Sequence, residues 1–218
     1  MRIFVSIDGV IRNTIQKIDY HYKDYYLNTD TESEEEFKYG ITEPILNDNI
    51  ASSYQFQSKD EMFNFLFMEF PVEIFGHAGL SYNRAVTELN EFIYNNSDHT
   101  TTVLGLMELG KSKPATLFFL SKNGFMGNSV RFSTYDNIKE LWKQCDVWIT
   151  DDKRVIDECP EGKTVIKFET PYNQHFTNNL KIDKLSQIDT SWLKYSANPI
   201  TSTLTGFLKS AKQVLRLN

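Results

Sequence analysis

Short runs of β-branched and apolar residues, each halted by a polar cluster, constrain this chain more than any other feature. Arg2 to Ile7 runs into Asp8-Gly9, Thr100 to Leu104 into Gly105, and Asp146 to Ile149 into Thr150-Asp151-Asp152; Thr164 to Phe168 is closed by Pro171. Ser129 to Phe132 is a briefer candidate of the same kind. Continuous apolar runs of this length suit strands buried on both faces, as in a parallel sheet. Helices are predicted between the later ones. Ser112 is placed to cap a helix that has Pro114 in its first turn and Gly124 after its end. Ala115, Leu117, Phe118, Phe119 and Leu120 predict that this helix is mostly buried. Asn137 to Lys143 gives the next, with Ile138, Leu141 and Trp142 on one face. Strand, helix, strand, helix, strand over 100–168 is the pattern of right-handed parallel crossovers. The predicted class is α/β, with a Rossmann-like parallel sheet.

Residues 13–95 break that rhythm and read as a helical insertion over the end of the sheet, after the first strand. One helix is predicted from Ser58 to Phe70, stopped by Pro71, and a second from Tyr82 to Tyr94. Met62, Phe63, Phe65, Leu66, Phe67 and Met68 make the first apolar nearly all round, so it is expected in a core. Glu32, Glu34, Glu35 and Glu36 match no calcium-loop spacing and read as a solvated loop. Gly76-His77-Ala78-Gly79 reads as a flexible joint. Near the end, Leu204, Leu208, Ala211 and Leu215 recur at helical spacing and predict a docked amphipathic helix. The expected organisation is a core of 1–12 and 96–175, an insertion of 13–95, and an extension of 176–218.

Composition excludes several classes. The 218 residues carry 23 Lys+Arg against 29 Asp+Glu, a formal net charge of −6, which argues against direct nucleic-acid binding. No apolar run approaches the roughly 18 residues that cross a bilayer. The first residues reach Asp8 without a signal-peptide core. Two cysteines, Cys145 and Cys159, imply no disulfide framework, and Cys145 is expected to be packed rather than reactive. The expectation is a soluble protein of a reducing compartment. His21, His99 and His175 show no ligand spacing, and no Gly-x-Ser-x-Gly supports a hydrolase triad.

Chemistry is expected where strands end. Asp8 and the pair Asp151-Asp152 stand at two strand ends, where open α/β sheets bind ligands. Such acids can converge on one magnesium, and Lys113 in the following helix could face a phosphate oxygen. The structural alternative is that Asp8-Gly9 makes an exit turn, and that Asp151 and Asp152 cap the next turn or pair with Lys113 or Lys153.

Ser6-Ile7-Asp8-Gly9-Val10-Ile11-Arg12 resembles the first motif of the haloacid dehalogenase-like phosphatases, normally Asp-x-Asp-Gly-Thr/Val. Ser112-Lys113-Pro114-Ala115 falls where that family places its lysine, and Val147 to Lys153 resembles its final acidic motif. With Val165 to Phe168 and Thr170 to Asn173, the chain is most similar to the 5′(3′)-deoxyribonucleotidase branch and its phage-encoded relatives, over about residues 1–175. The resemblance implies a cap domain in the insertion and magnesium held by Asp8, Asp151 and Asp152. It also implies a nucleophilic aspartate at the position that here is Ser6. The family's phosphoryl-holding Ser/Thr falls at Gly105-Leu106, which has no hydroxyl. Ser6, Asp8, Gly105 and Lys113 are then vestiges of a catalytic set.

Three functions follow. The first is a catalytically degenerate fold kept as a structural or interaction protein, with no cofactor. Its partners would be proteins, among them other components of a tailed-phage virion, and its place the cytoplasm or the virion. The second is a magnesium-dependent 5′-nucleotidase, and the third a nucleotide or phosphate binder without turnover.

Overall fold

The structure, a computed structural model, describes residues 1–28, 38–107 and 109–195. The acidic stretch at 32–36 and the predicted helix around 204–215 lie outside the described residues.

Six parallel strands form the central sheet, in the order β5-β4-β1-β6-β7-β8. They are β1 (Arg2–Ser6), β4 (Thr100–Gly105), β5 (Val130–Phe132), β6 (Val147–Thr150), β7 (Thr164–Phe168) and β8 (Lys181–Ile182). The remaining two, β2 (Arg12–Asn13) and β3 (Gly79–Leu80), pair antiparallel at the two ends of the insertion. The helices are α1 (Thr14–Tyr22), α2 (Ile50–Ser53), α3 (Lys59–Asn64), α4 (Ala85–Asn95), α5 (Ser112–Lys122), α6 (Ile138–Trp142), α7 (Lys153–Asp157) and α8 (Thr190–Tyr195). From β1 the chain moves outward to β4 and β5, then returns to lay β6 on β1's other side. That reversal opens a crevice beyond the carboxyl ends of β1, β4 and β6. The α/β class and its Rossmann-like parallel sheet are thus observed.

Alternation along the strands divides the core. Ile3, Val5, Val103, Val147 and Ile149 face one side and pack with Val86, Leu89 and Phe92 of α4 and with Phe119 and Leu120 of α5. Phe4, Leu104 and Trp148 face the other side and pack with Ile138, Leu141 and Trp142. Cys145 lies in that second cluster, and burial pushes its thiol up to about 12. A third cluster belongs to the insertion and joins Ile15, Ile18, Tyr22, Phe65, Ile74 and Phe75. Packing therefore moves two expected boundaries. Helix α4 belongs with the sheet although it lies within the expected insertion of 13–95. The core also continues past residue 175, because β8 extends the sheet and Ile182, Leu185 and Leu193 are buried against it.

Local differences have local causes. Lys111, not Ser112, occupies the N-cap of α5; Ser112 is the first helical residue, buried, and its hydroxyl donates to the Leu109 carbonyl at 2.7 Å. Leu117 and Phe118 remain 48% and 46% exposed, because α5 turns that side away from the sheet. Helix α4 starts at Ala85 rather than Tyr82, since Arg84 adopts a left-handed φ of 74° that interrupts helical geometry. Ser58, the expected start of the helix, is the N-cap of α3, its side chain accepting from the Glu61 amide at 3.1 Å. That helix continues as a π-helical turn, Phe65–Glu69. Phe65, Leu66 and Phe67 are buried there, while Phe63 and Met68 are exposed. Pro71 leads into a second π-helical turn, Val72–Gly76. Gly76 is not a flexible joint: a Cβ on it would lie 3.3 Å from the Ala115 carbonyl oxygen, so the residue allows close packing on α5. Among the described residues no helix is long and apolar enough to cross a membrane.

Trp148 is fully buried, edge-on to Phe4 at 5.5 Å and 5.1 Å from the Trp142 ring. Trp148→Ala is expected to cost about 3–5 kcal/mol. Urea unfolding should show this as a lower midpoint with unchanged slope.

Candidate functional site

The turn after β1 builds the floor of the crevice. Gly9 has φ +74°, and its amide donates to the Arg12 carbonyl at 2.9 Å, which folds residue 12 back beside residue 8. A Cβ at Gly9 would lie 1.8 Å from Asp151 Oδ2. Glycine is therefore required twice, by its backbone angle and by the close approach of the Asp151 carboxyl.

Ser6 holds the position where the resembled family carries its nucleophile. It is buried; its Oγ accepts from Trp148 Nε1 at 3.1 Å and donates to Thr150 Oγ1 at 3.0 Å. Thr150 Oγ1 in turn accepts from the Asp152 amide at 3.2 Å. The partners of the Ser6 alcohol among the described residues are an indole and another alcohol, and neither can take its proton.

Asp8 faces a cation supplied by the chain itself. Its Oδ1 accepts from Arg12 Nε at 3.0 Å and Nη2 at 2.9 Å, and its Oδ2 from Nη2 at 3.1 Å. The Thr14 hydroxyl also donates to Oδ1. Arg12 is fully buried. Its Nη1 donates to the Phe75 carbonyl at 3.1 Å and to the Thr116 hydroxyl, and its guanidinium lies 5.1 Å from the Phe75 ring centre. The Asp-Gly exit turn is present, and Asp8 is in addition committed to an ion pair.

The two acids after β6 differ from each other. Asp152 caps α7 as one of the structural readings expects. Its partner is Arg154, not Lys113 or Lys153: Oδ1 accepts from the Arg154 amide at 2.9 Å and Nε at 3.0 Å, and Oδ2 from Nη2 at 2.6 Å. Lys153 pairs with Asp157 instead. The Arg154 guanidinium stacks 3.5 Å from the centre of the Tyr135 ring. Asp151 turns inward. Its Oδ2 accepts from Asn47 Nδ2 at 2.5 Å, and its carbonyl from Asn47 Nδ2 at 3.1 Å and Asn173 Nδ2 at 3.0 Å. Burial, then the nearby Asp152 carboxylate, hold the Asp151 carboxyl well above the usual range.

The remaining predicted residues do not join this group. Lys113 is exposed and stands outside the cavity wall. Gly105 ends β4, and Leu106 is buried in the cluster with Ile138 and Leu141. A partly open cavity of about 280 Å³ lies between the strand ends and the insertion, lined by Ser6, Asp8, Asp151 and Asp152. Asn47, Tyr135 and Tyr172 also line it, and none of them was legible as a site residue from local sequence. Arg12 carried a signal that sequence reasoning did not use, namely its four-residue spacing from Asp8.

These donors do not fit magnesium. That ion asks for near-octahedral carboxylate and water oxygens. Here both Asp8 oxygens face Arg12, both Asp152 oxygens face Arg154, an amide N–H caps Asp151, and Ser6 brings no charge. Among the described residues no three His, Cys, Asp or Glu gather as a metal-ligand group.

No family model matches the chain, and no curated protein matches it. Among solved structures it is similar to a haloacid dehalogenase-like hydrolase from Burkholderia xenovorans. The TM-score is 0.54 over 88% of this chain and 97% of that one, at 8% identity. A likeness at this identity shows a shared fold alone.

Two outcomes are expected. Arg12→Met should cost about 3–5 kcal/mol by leaving Asp8 without its cation, and Asp8→Asn combined with it should recover part of the loss; denaturant titrations of the wild type and the two variants measure this. For Asp151, a native pKa raised above the ordinary 3.8 contributes stability that is full below 3.8 and lost as pH rises through the native value. The melting temperature of the wild type relative to Asp151→Asn should therefore fall as pH is raised from about 4.

Proposed function

We propose that this chain is a haloacid dehalogenase-like fold that transfers no phosphoryl group and serves as a structural or interaction protein. One observation carries the reading: the buried Ser6 alcohol is tied to Trp148 and Thr150, at the position where attack on phosphorus requires a charged oxygen. In another hydrolase, removing the nucleophile lowers turnover about 10⁶-fold, close to 8 kcal/mol of barrier. The other acids do not compensate. Asp8 is neutralised by Arg12, Asp152 by Arg154, and Lys113 stands outside the cavity. What persists is a body with a formed cavity and apolar side chains such as Leu117, Phe118 and Val72 left at the surface. A virion or assembly component of a tailed phage is the specific version that follows from the sequence resemblance.

Phosphatase assays on nucleoside monophosphates, with and without magnesium, are expected to give no turnover above a buffer blank. Ser6→Asp is expected to remain inactive, because Gly105-Leu106 still offers no hydroxyl and Arg12 still holds Asp8. Magnesium-dependent turnover in the wild type that disappears in Asp8→Asn would overturn the reading.

A further inference from the structure

Helix α5 carries a second face, away from the crevice. Lys111, Pro114, Phe118 and Lys122 follow one another at three- and four-residue steps, so they share one side of the helix. Pro114 and Phe118 are exposed and, with Pro71 and Val72 of the insertion, line an apolar trough of about 410 Å³. The trough shares no lining residue with the strand-end cavity. Cations stand at both ends of this face. Lys111 lines the trough, and its Nζ lies 3.5 Å from the Met68 carbonyl oxygen. Lys122 Nζ lies 5.6 Å from the Phe118 ring centre and donates to the Gly76 carbonyl at 3.4 Å. Both acceptors are neutral, and among the described residues neither lysine has an ion-pair partner. The acids flanking Pro71 and Val72 are engaged elsewhere: Glu69 hydrogen-bonds Tyr25, and Glu73 interacts with His21. In a chain of net charge −6, this face is apolar with a positive rim.

We propose that the trough docks an acidic peptide segment of a partner protein. A large apolar side chain would sit between Val72 and Phe118, with carboxylates on either side reaching Lys111 and Lys122. The inference rests on the interaction-protein reading above and gives that partner its chemistry. The two lysines stand about 16 Å apart along the helix axis, a span of roughly five extended residues. Apolar anchoring with flanking charge is a common mode of peptide recognition. Charge complementarity also selects among occupants. A second copy seated on the same face would set lysine against lysine whichever way it ran. The apolar repeat near the end of this chain carries Lys209, Lys212 and Arg216 and no acid, and would meet the same repulsion.

Panning a random dodecapeptide display library on the immobilised full chain tests this. Peptides with acidic residues on both sides of an aromatic or leucine are expected to be enriched. The most enriched sequence, synthesised and followed by fluorescence anisotropy, should bind the wild type more weakly as salt is raised. Phe118→Ala, and separately the double variant Lys111→Glu, Lys122→Glu, should each weaken it about tenfold or more. Thermal melts identify a variant that fails to fold, and then the other variant decides. No enrichment, enrichment of basic peptides, or a peptide that binds a folded variant as tightly as the wild type would overturn the docking site. Turnover of a nucleoside monophosphate would instead overturn the non-catalytic reading, so the two failures are distinguishable.

Discussion

The ion pair between Arg12 and Asp8 is the constraint from which the rest of the site follows. A guanidinium taken wholly out of water loses several kcal/mol of hydration, recovered only through well-formed pairing and further hydrogen bonds. Here the partners come from four parts of the chain: Asp8 after β1, Thr14 at the start of α1, the Phe75 carbonyl in a π-helical turn, and Thr116 in α5. One side chain thus fastens the insertion to the sheet at the crevice. The Phe75 and Phe119 rings close over its charge at 5.1 and 5.5 Å. Such a group resists displacement, because a movement that separated Phe75 from Thr116 would cost the guanidinium one of these hydrogen bonds while it stays buried.

That clamp also decides what the carboxylates can do. An acid that donates protons, or that holds a metal, needs an oxygen free to change partners. Both oxygens of Asp8 are taken by Arg12, and both of Asp152 by Arg154. Among the described residues no cation pairs with Asp151; burial favours its protonated form, and the Asn47 amide reaches it from the insertion. A second link between the parts lies nearby, where His175 Nε2 stands 3.5 Å from Asp48 Oδ2. The crevice is therefore built mainly from internal pairs, and its remaining acceptor capacity is concentrated at Asn47 and Asp151.

The legible parts of this molecule were those encoded over short stretches. The apolar runs became β1, β4, β6 and β7 because a strand buried on both faces needs no alternation, and Gly9 and Gly124 sit at the positive φ values their positions require. What escaped local reading depends on distant partners. Asn47 meets Asp151 across 104 residues. The two-residue strand β8 is too short to carry a pattern, and α4 joins the sheet through packing that its own amphipathic sequence does not specify. Leu117 and Phe118 look like core by composition, yet a helix has one side toward the sheet, and the sequence of α5 is apolar on more than one.

On the proposed reading, an aspartate at the Ser6 position alone would not make a phosphatase. An aspartate there would replace an alcohol that now accepts from the Trp148 indole and donates to Thr150. The indole could still donate to a carboxylate. Thr150 Oγ1 would no longer receive the Ser6 proton, and the new charge would lie close to the protein interior, against Phe4, Leu104 and Trp148. A buried carboxylate needs a cation or several donors to stay ionised. Arg12 and Arg154 are the nearby candidates, and taking either would strip Asp8 or Asp152 of its partner. On the non-catalytic reading we propose, the obstacle to phosphoryl transfer therefore lies in the whole arrangement of charges around the crevice, with Ser6 as its most visible member.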